Sequence, residues 1–364
     1  MQITAKMVAE LREKSGAGMM KCKQALVACD GDMEKAMDEL RKSGLASAGK
    51  RAGRATSNGI VLPLISADKR HVGFVEVNCE TDFVAKTDAF IAFANNLAKL
   101  VLDHPEVKSV ADLEKLTFEG QTIDDYRKSI IAKTGENCSI SRAEHLDIPE
   151  GTEGLFDRYV HNKIDGSEGG LLGVLVQLKV ADAATAGKEE ATKVAHQIAL
   201  HIAMQDPIAV SEAEVSQEVK DREYKVGYEK AKIEQVEKAV NKALEKAGIN
   251  PAHVDSEDHM KSNVGKGWIT EEQVAQAKKI KTEVAEEATK NLKDVMLQKI
   301  AEGRLAKFLK EGCLLDQTFL MDDTKTVKAY LDDASKELNS KLEVTTFRRW
   351  KCGEAAPKAE EATE

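Results

Sequence analysis

An α+β fold resting on antiparallel sheets is what this chain predicts, and three patterns point to it. Residues 59–146 and 153–350 read as two copies of one plan: a hairpin of two apolar runs, an amphipathic helix, and a closing strand. Strands and helices come in runs without regular βαβ alternation, which favours antiparallel pairing over a parallel α/β sheet. Residues 1–44 read as three short amphipathic helices, and residues 215–303 carry an apolar residue every seventh position, the mark of a coiled coil.

The first helix is capped by Thr4 and buries Met7, Val8 and Leu11. Gly16-Ala17-Gly18 breaks the chain. The second helix sets Cys22, Ala25, Leu26 and Cys29 on one face. Gly31 suits a left-handed C-cap and Asp32 the next N-cap. The third helix buries Met33, Ala36, Met37 and Leu40. On the second helix Met19 falls at the edge of the apolar stripe and Met20 nearly opposite it. A methionine turned to solvent is an adaptable contact residue, although single exposed apolar side chains are common.

Residues 45–58 are rich in Gly, Ala and Ser and read as a flexible linker made basic by Lys50, Arg51 and Arg54. No aromatic residue is interleaved for base stacking. The stretch from Gly44 to Lys50 approaches a phosphate-binding P-loop, but Arg51 stands where a magnesium-binding Ser or Thr is needed and no strand precedes it. It is rejected as a nucleotide site.

The first core subdomain, 59–150, opens with a hairpin of 60–65 and 72–77. A helix from Asp88 follows, buries Phe90, Phe93, Ala94, Leu97, Ala98 and Val101, and is capped by Thr87 or Asp88. It closes with a strand over 137–146. The second subdomain, 151–214 with 304–352, repeats this with 155–161, 171–180, a helix over 187–204 and a strand over 341–351. Gly73-Phe74-Val75-Glu76-Val77 is matched to Gly173-Val174-Leu175-Val176-Gln177. The insertion at 215–303 has a seam of Val219, Val226, Ile233, Val240 and Ala247. A turn region at 248–267 leads to Val274, Ala277, Val284, Ala288 and Val295, so an antiparallel hairpin with arms of about 45 Å is expected. Residues 353–364 read as a disordered tail.

The bulk properties narrow the function. The chain has 364 residues, 32% of them charged and 4% aromatic, with a net charge of −9. That excludes a generally basic nucleic-acid binder, so no stable nucleic-acid partner is expected. No apolar run approaches the ~18 residues that span a bilayer, and the N-terminus resembles no signal or transit segment. A cytoplasmic protein without a membrane partner is the expectation. The six cysteines form no Cys-x-x-Cys pair and read as buried thiols. His253, Asp255, Glu257, Asp258 and His259 cluster at the hairpin tip and read as a solvated turn, not a metal site. His196 and His201 are five apart on one helix, and His201 reads as a packed structural residue. No triad or acid–base pair is recognisable. Neither a cofactor nor an enzymatic activity is expected, and a homo-oligomer is left open.

The sharpest feature is Asn78-Cys79-Glu80-Thr81-Asp82-Phe83-Val84-Ala85-Lys86. Here Thr81-Asp82-Phe83-Val84 falls between a buried strand and a capped helix. Connections lie at the surface, so Phe83 either tucks back under the loop as a satellite core residue or faces a partner as an interface anchor.

That segment resembles the signature of the bacterial elongation factor Ts family. So do residues 11–23, Leu-Arg-Glu-Lys-Ser-Gly-Ala-Gly-Met-Met-Lys-Cys-Lys, and residues 307–311 with 314–317 and 325–327. The resemblance implies a ubiquitin-associated-like N-terminal bundle and guanine nucleotide exchange on elongation factor Tu holding GDP. By resemblance, Phe83 would wedge into the partner's nucleotide domain, with Thr81, Asp82 and Val84 forming the loop that Asp82 orders. Arg12, Met19 and Met20 would grip the same domain. His161 aligns with a family position near the partner interface. Mg²⁺ displacement and GDP release would follow. The alternative from a different class is an RNA-binding or chaperone-like scaffold that uses the basic linker and the coiled coil.

Overall fold

The computed structural model describes residues 3–355, apart from 16, 50 and 52. The chain divides into two compact units, Met1–Asp206 with Thr318–Glu364, and Pro207–Gln317.

The first unit starts with a bundle of α1 (Ala5–Ser15), α2 (Met19–Ala28) and α3 (Met33–Gly49). Thr4 accepts from Met7 N–H, and Asp32 accepts from the amides of Glu34 and Lys35. Val8, Leu11, Cys22, Ala25, Leu26 and Ala36 form its core, as helical spacing requires. The sequence reading ended this helix too early. α3 continues to Gly49, so the stretch expected as linker from 45 begins as helix. A glycine costs about 1 kcal/mol in a helix, which does not stop one already nucleated and interspersed with alanines. Gly16, Lys50 and the tail from 356 lie outside the described residues. Gly353, expected in that tail, is anchored by its N–H to Glu76, 2.8 Å away.

β1 (Asn58–Ile65) and β2 (His71–Cys79) pair from Asn58↔Cys79 to Ile65↔Val72. Then come α4 (Asp82–Ala85), α5 (Asp88–Asp103) and α6 (Val110–Leu113). A small hairpin of β3 (Thr117–Phe118) and β4 (Gln121–Thr122) leads into α7 (Ile123–Thr134). β5 (Cys138–Asp147) returns along β2. The plan repeats in β6 (Gly154–Lys163), β7 (Gly170–Lys179), α8 (Ala183–Ala186) and α9 (Glu189–Gln205).

The second unit holds α10 (Gln217–Lys246), α11 (Glu257–Gly265), α12 (Glu271–Lys290) and α13 (Asp294–Gly312). The chain returns to the first unit with α14 (Val327–Leu338) and β8 (Glu343–Lys351), which pairs with β7. β5–β2–β1 and β6–β7–β8 are therefore two antiparallel three-stranded sheets, linked where Val61 pairs with Gly170.

One face of β2 presents Val75 and Val77 to Phe90, Phe93 and Leu97 of α5. Its other face gives Val72 and Phe74 to a core shared with Phe156, Leu175 and Trp350 from the second copy. The elements of the two copies correspond with an offset of 101 positions, not the 100 expected from matching Gly73 with Gly173. α4 and α8 both follow that offset, from Asp82 to Ala183. The β-bulges agree: the register slips opposite Glu76/Val77 in β5 and opposite Gln177/Leu178 in β8. Because side chains alternate along a strand, a slip of one residue exchanges the two faces. The two glycines accordingly answer different needs. A Cβ on Gly73 would strike the α5 backbone, 2.1 Å from the Ala98 carbonyl oxygen, whereas one on Gly173 would strike Val61 and Phe74.

The second unit also differs from its expected seam. Val226, Ile233 and Val295 are exposed, and the buried line of α10 is Gly227, Ala231, Val240 and Leu244. Small residues set this: a Cβ on Gly227 would lie 3.6 Å from Ala301 Cα of α13, and the close approach rotates the larger heptad residues outward. The returning arm breaks between α12 and α13. Asp255, Glu257, Asp258 and His259 are exposed at the tip as expected, and beneath them Ile249, Val254, Met260 and Ile269 build a small core with Val240 and Leu244.

The approach of α5 to Gly73 predicts that Gly73→Ala destabilises the protein by about 3 kcal/mol. Gly265→Ala, which meets nothing within 4 Å, is expected to be neutral or slightly stabilising. Thermal melts of the two variants check the contrast.

Candidate functional site

The segment between β2 and α5 is not a loop but the single helical turn α4. Thr81 caps it, its Oγ1 accepting from Val84 N–H at 3.4 Å. Thr87 then caps α5 by accepting from Phe90 N–H. Sequence reading placed both ends but missed the turn, since four residues are too few for periodicity to register.

The turn sits on a carboxylate clamp. Both Thr81 N–H and Thr81 Oγ1–H donate to Glu136, at 2.9 and 2.7 Å. In return Glu80 accepts from Asn137 N–H at 2.6 Å, and its backbone carbonyl accepts from Asn58 Nδ2. Arg54 lies 3.4 Å from Glu80 and is drawn into the same clamp, so it is not a free basic charge of a linker. Glu80 lay within the segment that stood out in the sequence but without a role, and Glu136 did not stand out; one follows β2 and the other precedes its partner β5.

Two faces emerge from this turn. Val84 and Ala85 point inward and join the α5 core. Val84, expected as a contact residue, is buried on the core side of the turn while its neighbour Phe83 is not. Phe83 points outward and is 79% exposed, so it does not tuck under the loop. Asp82, also exposed, takes a 2.7 Å contact from Lys86, and this hydrogen bond holds its carboxyl below the usual range. Asp82 thereby fastens the turn from outside.

The internal repeat separates scaffold from addition. In α8, Asp182 takes the place of Thr81 as the cap and Thr185 is buried in the place of Val84. The position of Phe83 is held by Ala184, which is exposed. One copy carries a solvent-facing aromatic on this turn and the other a methyl group. An aromatic so held has area to offer a partner at little ordering cost.

Beside the turn lies a cavity of about 450 Å³, lined by Asn58, Asp82, Ala85, Lys86, Asn162 and Leu171 among others. Leu171, 40% exposed, escaped the sequence reading. His161 is half-buried on β6 and does not line this cavity; its Nδ1 lies 3.2 Å from the Tyr159 hydroxyl. On the bundle, Arg12 is exposed, and Met19 and Met20 are 50% and 65% exposed. Val27, one heptad beyond Met20, is exposed as well and was also missed. The bundle rests on α7: Met37 and Leu40 share a cavity of about 300 Å³ with Ser129, Ala132 and Lys133. α7 runs directly into Glu136, so bundle and clamp stand on one element.

The other residues singled out in the sequence are paired locally or buried. At the tip, His259 bonds to Asp255 and Glu257 to Lys278, so they pair locally. His201 is fully buried and accepts from Leu320 N–H, which agrees with a structural role. Burial pushes the Cys138 thiol up to about 12 and raises that of Cys79, leaving both as poor nucleophiles. Among the described residues, no helix is long and apolar enough to cross a membrane.

A family model described as "Elongation factor TS" matches residues 80–354. The elongation factor Ts of Parabacteroides distasonis is 41% identical over 350 residues, covering 96% of this chain and 98% of that protein. The protein of that name from Phocaeicola vulgatus is 39% identical over 351 residues, with the same coverage. That from Clostridium perfringens is 34% identical over 360 residues, covering 99% of this chain and 96% of its own length.

The clamp predicts that Glu136→Ala frees the α4 turn while the core stays folded. Amide hydrogen exchange at Val84 and Lys86 is expected to speed up at least about tenfold, with α5 unchanged. Equal protection in variant and wild type would show that Thr81 does not depend on Glu136.

Proposed function

The chain belongs to the elongation factor Ts family, and on that premise we propose that it is a guanine nucleotide exchange factor for elongation factor Tu in cytoplasmic translation. It acts by binding and carries out no covalent chemistry. The observation that supports this most directly is Phe83, exposed on a turn whose cap, carboxylate clamp and core side are all fixed.

An exchange factor needs only to bind its partner better when nucleotide is absent. Linkage makes this reciprocal: a factor that weakens GDP binding is itself released by GDP to the same degree. A GTPase holds GDP through its phosphates and a shared Mg²⁺. In this reading Phe83 inserts beside that site and shifts the elements that carry the Mg²⁺ ligands, and the loss of Mg²⁺ lets GDP leave. Packed interfaces switch between discrete arrangements, so a small wedge suffices. Thr81 and Asp82 hold the wedge in place, and Val84 acts only through the core beneath it. Arg12, Met19 and Met20 grip the same partner domain, with Val27 extending that surface. His161 belongs to the second copy's contact with the partner.

Release of fluorescent GDP from elongation factor Tu is the test. The full chain is expected to accelerate release, and Phe83→Ala to reduce the acceleration at least tenfold, about 1.4 kcal/mol, with an unchanged melting temperature. Wild-type rates from a folded Phe83→Ala protein would sink the wedge. An RNA-binding scaffold would instead show steep salt dependence and indifference to Phe83.

The tip of the helical arm lies outside this mechanism. The break between α12 and α13 allows a clean shortening: residues 238–290 replaced by a short Gly/Ser linker leave α10 paired with α13. The shortened protein is expected to reach wild-type release rates at saturation. A folded variant that binds elongation factor Tu normally yet releases no GDP would make the arm the actuator.

A further inference from the structure

At the end of β2 remote from Phe83, His71, His145 and Asp147 converge on one face of the β2–β5 pair. His71 lies directly opposite Asp147 in the strand register, and His145 lies two residues before Asp147. Nδ1 of His71 and Nε2 of His145 both approach the same carboxylate oxygen, at 2.7 and 2.6 Å. His145 is buried, and its Nδ1 lies 2.8 Å from the Val101 carbonyl oxygen of α5.

That last contact creates a conflict. A neutral imidazole donates at one nitrogen and accepts at the other. His145 meets an acceptor at both: a backbone carbonyl at Nδ1 and a carboxylate at Nε2. The contact at Nε2 is satisfied either by a proton held between the ring and the Asp147 carboxylate or by a cation standing between them. A ligating histidine usually gives its outer N–H to a backbone carbonyl or carboxylate, which fixes the ring and turns the other lone pair to the metal. His145 has that arrangement with Val101. The outer nitrogen of His71 in turn faces Asp68, 3.8 Å away.

We propose that His71, His145 and Asp147 form a three-ligand site for a zinc-class divalent cation that staples β2 to β5. Two imidazoles and one carboxylate suit zinc, cobalt(II) or nickel(II) better than magnesium or calcium. Bond lengths of about 2.0–2.1 Å place tetrahedral donors roughly 3.3 Å apart, so each ring nitrogen draws back from the Asp147 oxygen by about 0.6 Å to admit the ion. His71 and Asp147 are partly exposed and free to do so. Lys108 opposes the cation, with Nζ 3.9 Å from Asp147 Oδ2, but it donates to the His145 carbonyl at 2.9 Å, not to the carboxylate, and Asp68 offsets its charge. A fourth position stays open to water.

The test titrates the full chain, stripped with chelator, with cobalt(II) and follows its visible absorption. Zinc affinity is then measured against a chromophoric chelator. One equivalent is expected to bind, and His71→Ala and Asp147→Asn are each expected to weaken it at least tenfold. His71 is half exposed, so His71→Ala should keep the metal-free melting temperature and isolate the loss of a ligand from a loss of fold. Zinc should raise the melting temperature of the wild type and not that of His71→Ala. If His71→Ala binds cobalt as tightly as the wild type, or if no cation is taken up, the cluster is a charged hydrogen-bond network and the proposal falls.

Discussion

The buried carboxylate of Glu76 is the point on which both halves of the sheet assembly depend. It takes Arg142 Nε at 2.6 Å, Asn78 Nδ2 at 3.0 Å and the Gly353 amide at 2.8 Å. Arg142 then donates to the Lys351 carbonyl and lies over the Trp350 ring, which stacks on Phe74 at 3.9 Å. A buried charge is tolerable only when paired and fully hydrogen-bonded. Glu76 obtains those partners from β2 itself, from β5, and from the end of β8, which is more than 270 residues further along the chain. The demand of one carboxylate thus requires the closing strands of both copies to be in place. Arg348 and Glu144 repeat the tie between β8 and β5 with a two-pronged contact at 2.8 and 3.0 Å.

β2 is therefore held along its length, and its C-terminal end leads into the α4 turn that carries Phe83. An exposed phenylalanine is useful to a partner only if its base does not move, because ordering it on binding would consume interaction energy. The Glu80–Asn137 and Glu136–Thr81 contacts pass the rigidity of β2 and β5 to α4. The burial of Val84 and Ala85 passes on that of α5. Phe83 needs no contacts of its own to stay in place.

Duplication explains how such a turn can arise. The strand, capped turn and helix occur in both copies, so they meet the folding requirement alone. Where the copies differ at an exposed position, selection for fold does not dictate the difference. Phe83 against Ala184 is such a position, both exposed; Glu76 against Gln177 is not, because the charge of the first copy recruits Arg142 and Gly353 to the sheet assembly.

The sequence by itself determined the three-helix bundle, both hairpin–helix copies, the caps at Thr4, Asp32 and Thr87, and the order of the motifs. Each of these is a local pattern of apolar period and capping chemistry that the chain carries within some twenty residues. It singled out Phe83 but left its direction open, and it gave no sign that Val84 is buried. Tertiary structure decided what depends on distant partners. The face of Val84 was set by a helical turn whose cap, Thr81, is clamped by Glu136, 55 residues further along. The register between the copies was set by bulges opposite Glu76 and Gln177, and a one-residue slip there was invisible to matching glycines. The seam of the helical arm was set by how closely Gly227 lets α13 approach, which a count of seven does not contain. Periodicity reports which face a residue can share. Only close packing reports which of those faces is buried.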